Sequence, residues 1–260
     1  MKDMISVVIP TYNRSKPLLK AIKSVLSQVT SYKIEIIVCD DGSTDDTDLT
    51  VKNIQKKNKN LRYFMLPHSG GPAIPRNYGT KMAKGNWVAY LDSDDIWAPE
   101  KLQSEMEYAK RYNLKMVCSN AIRSDGVEKK IYFDSMQSRP SLRFSDLLKD
   151  NVVICSSVLV HKETILGVDG FPEAGNLIAI EDYICWLKIS LNQDIGYMSE
   201  RLLTYSDNPK STIRSNWSSL SSQYRSLIPN IYSWYFNHLR FNYRYLSSLI
   251  PLILIKIKNL

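Results

Sequence analysis

Residues 5–9 (Ile-Ser-Val-Val-Ile) form a β-branched run of the kind that fills an interior strand, and a polar turn from Thr11 to Ser15 follows it. Pro17 then opens a stretch with Leu18, Ile22, Val25 and Leu26 on one helical face; proline suits a first turn because the N–H it lacks would have no partner there. This strand, loop and helix recurs. Residues 34–39 precede Asp40-Asp41-Gly42-Ser43-Thr44-Asp45-Asp46 and a polar helix; residues 63–66 precede Gly70-Gly71-Pro72 and a further helix; residues 87–91 precede Asp92-Ser93-Asp94-Asp95. Alternation of this sort predicts an α/β fold, with a mostly parallel sheet flanked by helices. In such sheets the ligand site lies beyond the carboxyl ends of the strands, where each polar cluster falls, so the clusters are expected to converge. Beyond residue 115 the pattern loosens into short strands at 115–119, 131–133 and 156–160, then a helical stretch over 181–191. From about Ser206 the chain turns rich in Ser and Asn and then aromatic and basic, which divides it into a main domain over residues 1–205 and a C-terminal helical extension over 206–260.

Composition fits an ordinary globular chain: 44% of the 260 residues are apolar and 23% charged, enough to bury a core. The net charge of +8 is concentrated, since residues 201–260 hold eight basic residues against the single acid Asp207, or +7 of the total. Interleaved Tyr, Trp, Phe, Leu and Ile make that tail suit an anionic membrane surface better than nucleic acid. A helix packing back on the domain would use the same aromatics, Tyr232, Trp234, Tyr235, Phe236 and Phe241. The apolar run over 246–255 is half of the roughly 20 residues a spanning helix needs, so peripheral attachment is expected. Cys39, Cys118, Cys155 and Cys185 form no CxxC pair and read as reduced core residues, and the N-terminus lacks a signal-peptide pattern; both features predict a cytoplasmic setting.

Asp92 and Asp94 follow a buried strand two residues apart, so on an extended chain both carboxylates project to one side. Hard oxygen ligands so placed suit Mg2+ or Mn2+ held jointly with a diphosphate; such acids also serve as turn and cap residues, Asp95 before Trp97-Ala98-Pro99 among them. In the Asp40 cluster, Gly42 permits a positive φ, Ser43 or Thr44 caps the next helix, and Asp45 and Asp46 fall in its first turn. Capping does not account for Asp40, a charge at the last position of an apolar strand, whereas a hydrogen bond to the edge of a uracil would. Arg76, beside Asn77 in an amphipathic stretch with Tyr78 and Met82, either lies on an exposed helical turn or aims its guanidinium at a nucleotide or diphosphate. Glu181 and Asp182 fall in a first helical turn, where the helix dipole favours acids; as chemistry, one of them would accept the proton of an attacking hydroxyl.

Taken in order, Ser6-Val-Val-Ile-Pro-Thr-Tyr-Asn13, Cys39-Asp-Asp-Gly-Ser-Thr-Asp45, Arg76-Asn-Tyr-Gly79, Tyr90-Leu-Asp-Ser-Asp-Asp95 and Glu181-Asp-Tyr-Ile-Cys-Trp186 resemble the family 2 glycosyltransferases of the GT-A fold, over roughly three quarters of the chain. The resemblance implies a Rossmann-like mixed sheet, a UDP-sugar donor and an inverting single displacement. It puts Pro10, Thr11 and Asp40 around the uracil, Arg76 near the nucleotide and Asp92 by the ribose, with Tyr12, Arg14 and Ser93 also in the nucleotide site. Asp94 becomes the metal ligand, with Mn2+ favoured over Mg2+, and Asp182 the catalytic base ahead of Glu181. The acceptor it suggests is a lipid-linked saccharide such as GlcNAc-diphosphate-polyprenol, extended during O-antigen synthesis on the inner face of the cell membrane, with glucose or galactose as the favoured hexose. A soluble or lipopolysaccharide-core acceptor is the alternative.

The chain departs from the family's processive members: no Gln-x-x-Arg-Trp follows Asp182 and no multi-helix membrane region is present, so one sugar per encounter is expected. A sugar nucleotidyltransferase or a dinucleotide-dependent oxidoreductase calls for a glycine-rich loop after the first strand, and residues 9–14 contain no glycine. A basic nucleic-acid-binding protein would instead use the tail and leave the acids as caps; no nucleic-acid partner is expected.

Overall fold

The computed structural model describes residues 3–207 together with residues 227, 229–231, 233 and 234. Strands β1 (Met4–Thr11), β2 (Lys33–Asp40), β3 (Leu61–Met65) and β4 (Trp87–Tyr90) alternate with helices α1 (Ser15–Leu26), α2 (Thr47–Gln55) and α3 (Ala73–Met82). After them come β5 (Ile96–Trp97), α4 (Lys101–Arg111), β6 (Met116–Ser124), β7 (Lys129–Ile131), β8 (Arg139–Leu142), α5 (Phe144–Leu147), β9 (Val158–His161), α6 (Lys162–Leu166), α7 (Glu181–Ser190) and β10 (Ile195–Ser206).

These strands join one sheet along the path β3-β2-β1-β4-β9-β6-β10-β5, with β7 on β6 and β8 on β10. β1, β2, β3, β4, β6 and β10 run one way, and β9 runs against its neighbours β4 and β6. The sheet is therefore mixed and mostly parallel, as the alternation predicts. β1 lies between β2 and β4 and is buried from Ile5 to Thr11, so both of its faces are covered and it reads as a near-continuous apolar run. Ile5, Val7 and Ile9 share an apolar layer with Leu18 and Ile22 of α1, Val51 of α2, and Leu102 and Met106 of α4. Val8 and Cys39 belong to the opposite layer, with α3, α5 and α7. Helix α3 presses so closely on β1 that a Cβ on Gly79 would lie 2.4 Å from Val8 Cγ1, so glycine lets the helix carrying Arg76 settle on the sheet. Helix α7 is buried at every position but Asp182, as befits a helix apolar on nearly all sides.

Several local expectations are corrected. In α1, Leu18, Ile22 and Val25 are buried, but Leu26 is 38% exposed at the helix end. α2 begins at Thr47, so Asp45 precedes the helix and accepts the Thr47 N–H at 3.0 Å instead of lying in the first turn. α3 buries its polar side, Arg76, Asn77 and Thr80, while Met82 is 36% exposed. The reason is local bonding: Thr80 Oγ1 lies 2.8 Å from the Tyr90 hydroxyl, and Asn77 Nδ2 donates to Phe171 O at 2.7 Å.

The buried face of α4 mixes Leu102, Met106 and Ala109 with Lys101 and Glu105, both fully buried, so charge interrupts its apolar pattern. Lys101 Nζ pairs with Glu105 Oε2 at 2.6 Å and lies 4.3 Å from the Trp97 ring centroid, while Ser119 Oγ donates to Glu105 Oε1 at 2.9 Å. β10 is hidden for a different reason: Ser199-Glu200-Arg201 breaks its alternation at a register shift against β6.

Most of the 206–260 extension, and with it the membrane reading, lies outside the described residues. Leu227, Ile231 and Trp234, at helical spacing, pack into the layer that holds α7, and Trp234 Nε1 donates to Asp169 Oδ2 at 3.0 Å. For Trp234 the structure thus takes the packing alternative. Among the described residues no helix is long and apolar enough to cross a membrane. The four cysteines are buried and free.

The buried pair in α4 supplies a stability test. Lys101→Met is expected to lower the unfolding free energy by about 3–5 kcal/mol by stranding the Glu105 charge, and adding Glu105→Leu should recover most of that loss. Burial already raises the Glu105 carboxyl above its ordinary value, with Lys101 offsetting part of the effect. A raised carboxyl pKa means stability present at low pH and lost as pH rises through the folded value, so the single variant's deficit should shrink as pH falls. Urea unfolding at two pH values measures both effects; a double variant no more stable than the single one would contradict this account.

Candidate active site

The loops leaving β1, β2 and β4 meet the start of α7 and the end of β10 around one cavity of about 390 Å3. Its wall includes Pro10 and Thr11 at the end of β1, Tyr12 and Arg14 just after it, Arg76 from α3, Asp92, Ser93 and Asp94 after β4, and Glu181 and Asp182 from the first turn of α7. Asp40 is not on that wall. It still belongs to β2, paired with Thr11 and Met65, and its fully buried carboxylate accepts the Ser43 N–H at 2.8 Å and the Tyr63 hydroxyl at 2.7 Å. The chain turns only afterwards, and Asp41 is the acid of the pair that reaches the cavity.

The Asp41 carboxylate accepts the Ser69 N–H at 2.8 Å, the Ser69 hydroxyl at 2.6 Å and the Gly70 N–H at 3.0 Å, which pins the loop between β3 and α3. That loop brings His68 against Tyr12, the two rings stacked 4.2 Å apart at 21°. Asn13, held at φ 49°, ties the first two loops together: its Oδ1 accepts the N–H groups of Thr44 at 2.8 Å and Asp45 at 3.2 Å, and its own N–H donates to Ser43 Oγ at 2.7 Å. Gly42 takes the positive φ that the sequence allows, +80°.

Arg76 stands at the base of the cavity, 4% exposed. Its Nη1 donates to Glu181 Oε1 and its Nη2 to Asp92 Oδ1, each at 2.7 Å, so one guanidinium joins α3, the end of β4 and the start of α7. Burial works against its charge, but the carboxylates of Asp92, Glu181 and Asp182 outweigh that effect and hold its pKa above the ordinary value.

Asp94 Oδ2 meets Arg14 Nη1 at 2.5 Å. Burial raises the Asp94 carboxyl above its usual value, Arg14 pulls it down, and Asp92 pushes it up again, with a net rise. Asp95 is almost fully buried and is raised further, by burial and then by the charges of Asp92 and Asp94. Its Oδ1 accepts the Ser206 N–H at 2.8 Å, tying the end of β10 to this loop. Asp92 and Asp94 each have an arginine partner, but the acids still push one another's carboxyls up, a surplus of negative charge that a hard divalent cation would offset. Among the described residues no group of three His, Cys, Asp or Glu is arranged to hold a metal unaided. The residues therefore fit an ion of the Mg2+ or Mn2+ type that takes few ligands from protein and the rest from phosphate and water.

Asp41, His68, Ala179, Tyr205 and Ser206 also line the cavity and are not singled out by the sequence. Gly70-Gly71-Pro72, on the same wall, is legible as a turn, but nothing in the pattern brings the end of β10 to this edge.

Comparison with known proteins points the same way as these residues. Residues 6–165 match the family described as glycosyl transferase family 2. An uncharacterized glycosyltransferase of Rickettsia conorii is 36% identical over 203 residues, covering 76% of this chain and 32% of that protein, so the chain spans about a third of that relative's length. The UDP-Glc:alpha-D-GlcNAc-diphosphoundecaprenol beta-1,3-glucosyltransferase WfaP of Escherichia coli is 33% identical over 190 residues, covering 72% of this chain and 70% of that protein. The solved structure of S. aureus TarS 1–349 in complex with UDP-GlcNAc has a TM-score of 0.76 at 22% identity, covering 98% of this chain and 72% of that one, and shows the same fold.

The Arg76 bridge makes a prediction independent of any ligand. Arg76→Ala should lower the unfolding free energy by about 3–5 kcal/mol, because it leaves buried Glu181 unpaired, and Arg76→Lys should recover only part, since an ammonium lacks the planar fork that reaches both acids. Denaturant unfolding of the three proteins checks this, and an alanine variant as stable as the wild type would refute it.

Proposed function

The chain belongs to glycosyl transferase family 2, and from that premise we propose that it transfers a single hexose from a UDP-sugar to a hydroxyl of a lipid-linked saccharide. The observation that carries this reading is the gathering of Asp92, Asp94, Arg76 and Asp182 around one cavity at the carboxyl ends of the strands. In this reading Asp41, not Asp40, faces the uracil, and Tyr12, backed by His68, offers the base a flat aromatic surface. Asp92 lies by the ribose, and Pro10, Thr11 and Ser93 complete the nucleotide wall.

Glu181 is buried and committed to Arg76, whereas Asp182 is the half-buried acid on the same wall, so Asp182 is the residue assigned as general base. It takes the proton of the acceptor hydroxyl as that oxygen bonds to the anomeric carbon, and the bond from that carbon to the diphosphate oxygen breaks to release UDP. Attack opposite the leaving group inverts the anomeric centre. A bound Mn2+ or Mg2+, held by Asp94 with Asp92 beside it, would supply the charge that stabilises the departing diphosphate.

The activity that names WfaP supports glucose as donor sugar and a GlcNAc-diphospholipid as acceptor. An acceptor of that kind would place the enzyme at the inner face of the cell membrane, on surface-polysaccharide synthesis. With Trp234 packed on the domain, contact with an anionic membrane falls to other basic and apolar residues of 206–260. The acids share one cavity instead of being scattered as separate caps, which favours this enzyme reading over nucleic-acid binding.

The test is UDP release from a panel of UDP-sugars with a synthetic GlcNAc-diphosphate-lipid acceptor, with and without Mn2+. Turnover is expected with UDP-glucose, or failing that UDP-galactose, and only with metal. Asp182→Asn should lower kcat by about 10^2–10^4 while UDP binding persists. Nucleotide binding without turnover on any lipid-linked acceptor would reject the acceptor, and absence of UDP binding would reject the reading as a whole.

A further inference from the structure

We infer that Arg14 is the resident counter-ion of Asp94, and that a nucleoside diphosphate and a divalent cation bind cooperatively because the phosphates draw Arg14 off the carboxylate that the cation takes. The proposal rests on the donor reading above and concerns how that site fills.

Among the described residues two arginines line the cavity, and they are held differently. Arg76 is 4% exposed and clamped between two carboxylates, with no room to change partners. Arg14 and Asp94 are a pair on the cavity wall, with side chains 27% and 23% exposed, so their contact is more open to exchange than that of Arg76. The backbone beneath Arg14 is fixed, because its carbonyl accepts the Leu18 N–H at 3.0 Å as α1 begins and the preceding Asn13 is tied to the second loop. A long side chain on a fixed stem can swing its head between Asp94 and an anion in the cavity without moving the main chain. A planar fork of donors suits the paired oxygens of a diphosphate as well as those of a carboxylate.

Asp94 Oδ2 lies 2.5 Å from the guanidinium nitrogen, so a cation that needs that oxygen must displace Arg14. The apparent affinity of the cation alone is reduced by the fraction of Asp94 not paired to Arg14. An anion that captures Arg14 removes that reduction, and by linkage the cation favours the anion by the same factor.

The measurement is Mn2+ binding, read from loss of the free-ion paramagnetic resonance signal, with and without UDP, for the wild type, Arg14→Gln, Arg14→Lys and Asp94→Asn, with circular dichroism as a check of folding. Without nucleotide, Arg14→Gln should bind Mn2+ about fivefold more tightly than the wild type, the factor set by releasing one partly exposed ion pair. Arg14→Lys should fall between the two, and Asp94→Asn should bind weakly. UDP should tighten Mn2+ more in the wild type than in Arg14→Gln. Mn2+ affinity in Arg14→Gln equal to or weaker than that of the wild type would overturn the inference, as would tightening in Arg14→Gln with Arg14→Lys indistinguishable from the wild type in both arms, since a general field effect would then suffice. Tightening in Arg14→Gln with no effect of UDP on the wild type would uphold the counter-ion role and count against UDP as the ligand.

Discussion

A guanidinium sealed from water has to find negative charge within the protein, and the site is organised around how Arg76 does so. Its two partners come from positions 16 and 105 residues further along the chain, at the end of β4 and at the start of α7. Satisfying one cation therefore fixes three segments that the sheet alone would leave adjustable. The same bond distinguishes two neighbouring acids on the cavity wall, because Glu181 is buried against Arg76 while Asp182 is half-buried. Gly79 is part of this arrangement, since only without a Cβ there can α3 lie low enough on β1 to keep Arg76 at the cavity base.

Around that fixed base the walls are loops, yet loops held by side chain to backbone bonds. Asn13 fastens the first loop to the second, and Asp41 fastens the second to the one that bears His68. Each bond satisfies N–H groups that would otherwise need water, so the turns hold their shape without regular secondary structure. The cavity wall is thereby made of side chains on rigid stems, Tyr12, Arg14 and Asp182 among them.

What could be read in advance follows from this construction. The first four strands and three helices were legible because parallel strands covered on both faces leave apolar runs, and because turns and caps have their own residues. The clustering of acids at strand ends was legible for the same reason. Asp41 was passed over for Asp40, since periodicity says where a strand runs but not at which residue it turns away. α4 was hidden by charges that neutralise each other in the core, and β10 by a bulge that breaks its alternation. Arg76 was legible as a candidate but not as a bridge, because both of its partners are distant in sequence.

β10 has a consequence that reaches past the site. It lies between β6 and β5 in the interior of the sheet, although it is the last of the described strands in chain order. The stretch matched to the family ends at residue 165, thirty residues before β10 begins at Ile195. A chain cut at residue 165 would expose the open edge of β6, and would lose the backbone N–H of Ser206, on the cavity wall, that Asp95 accepts. The stretch that defines the family thus leaves out a strand from the middle of the sheet, and a ribosome must finish β10 before the sheet that begins at Met4 is complete.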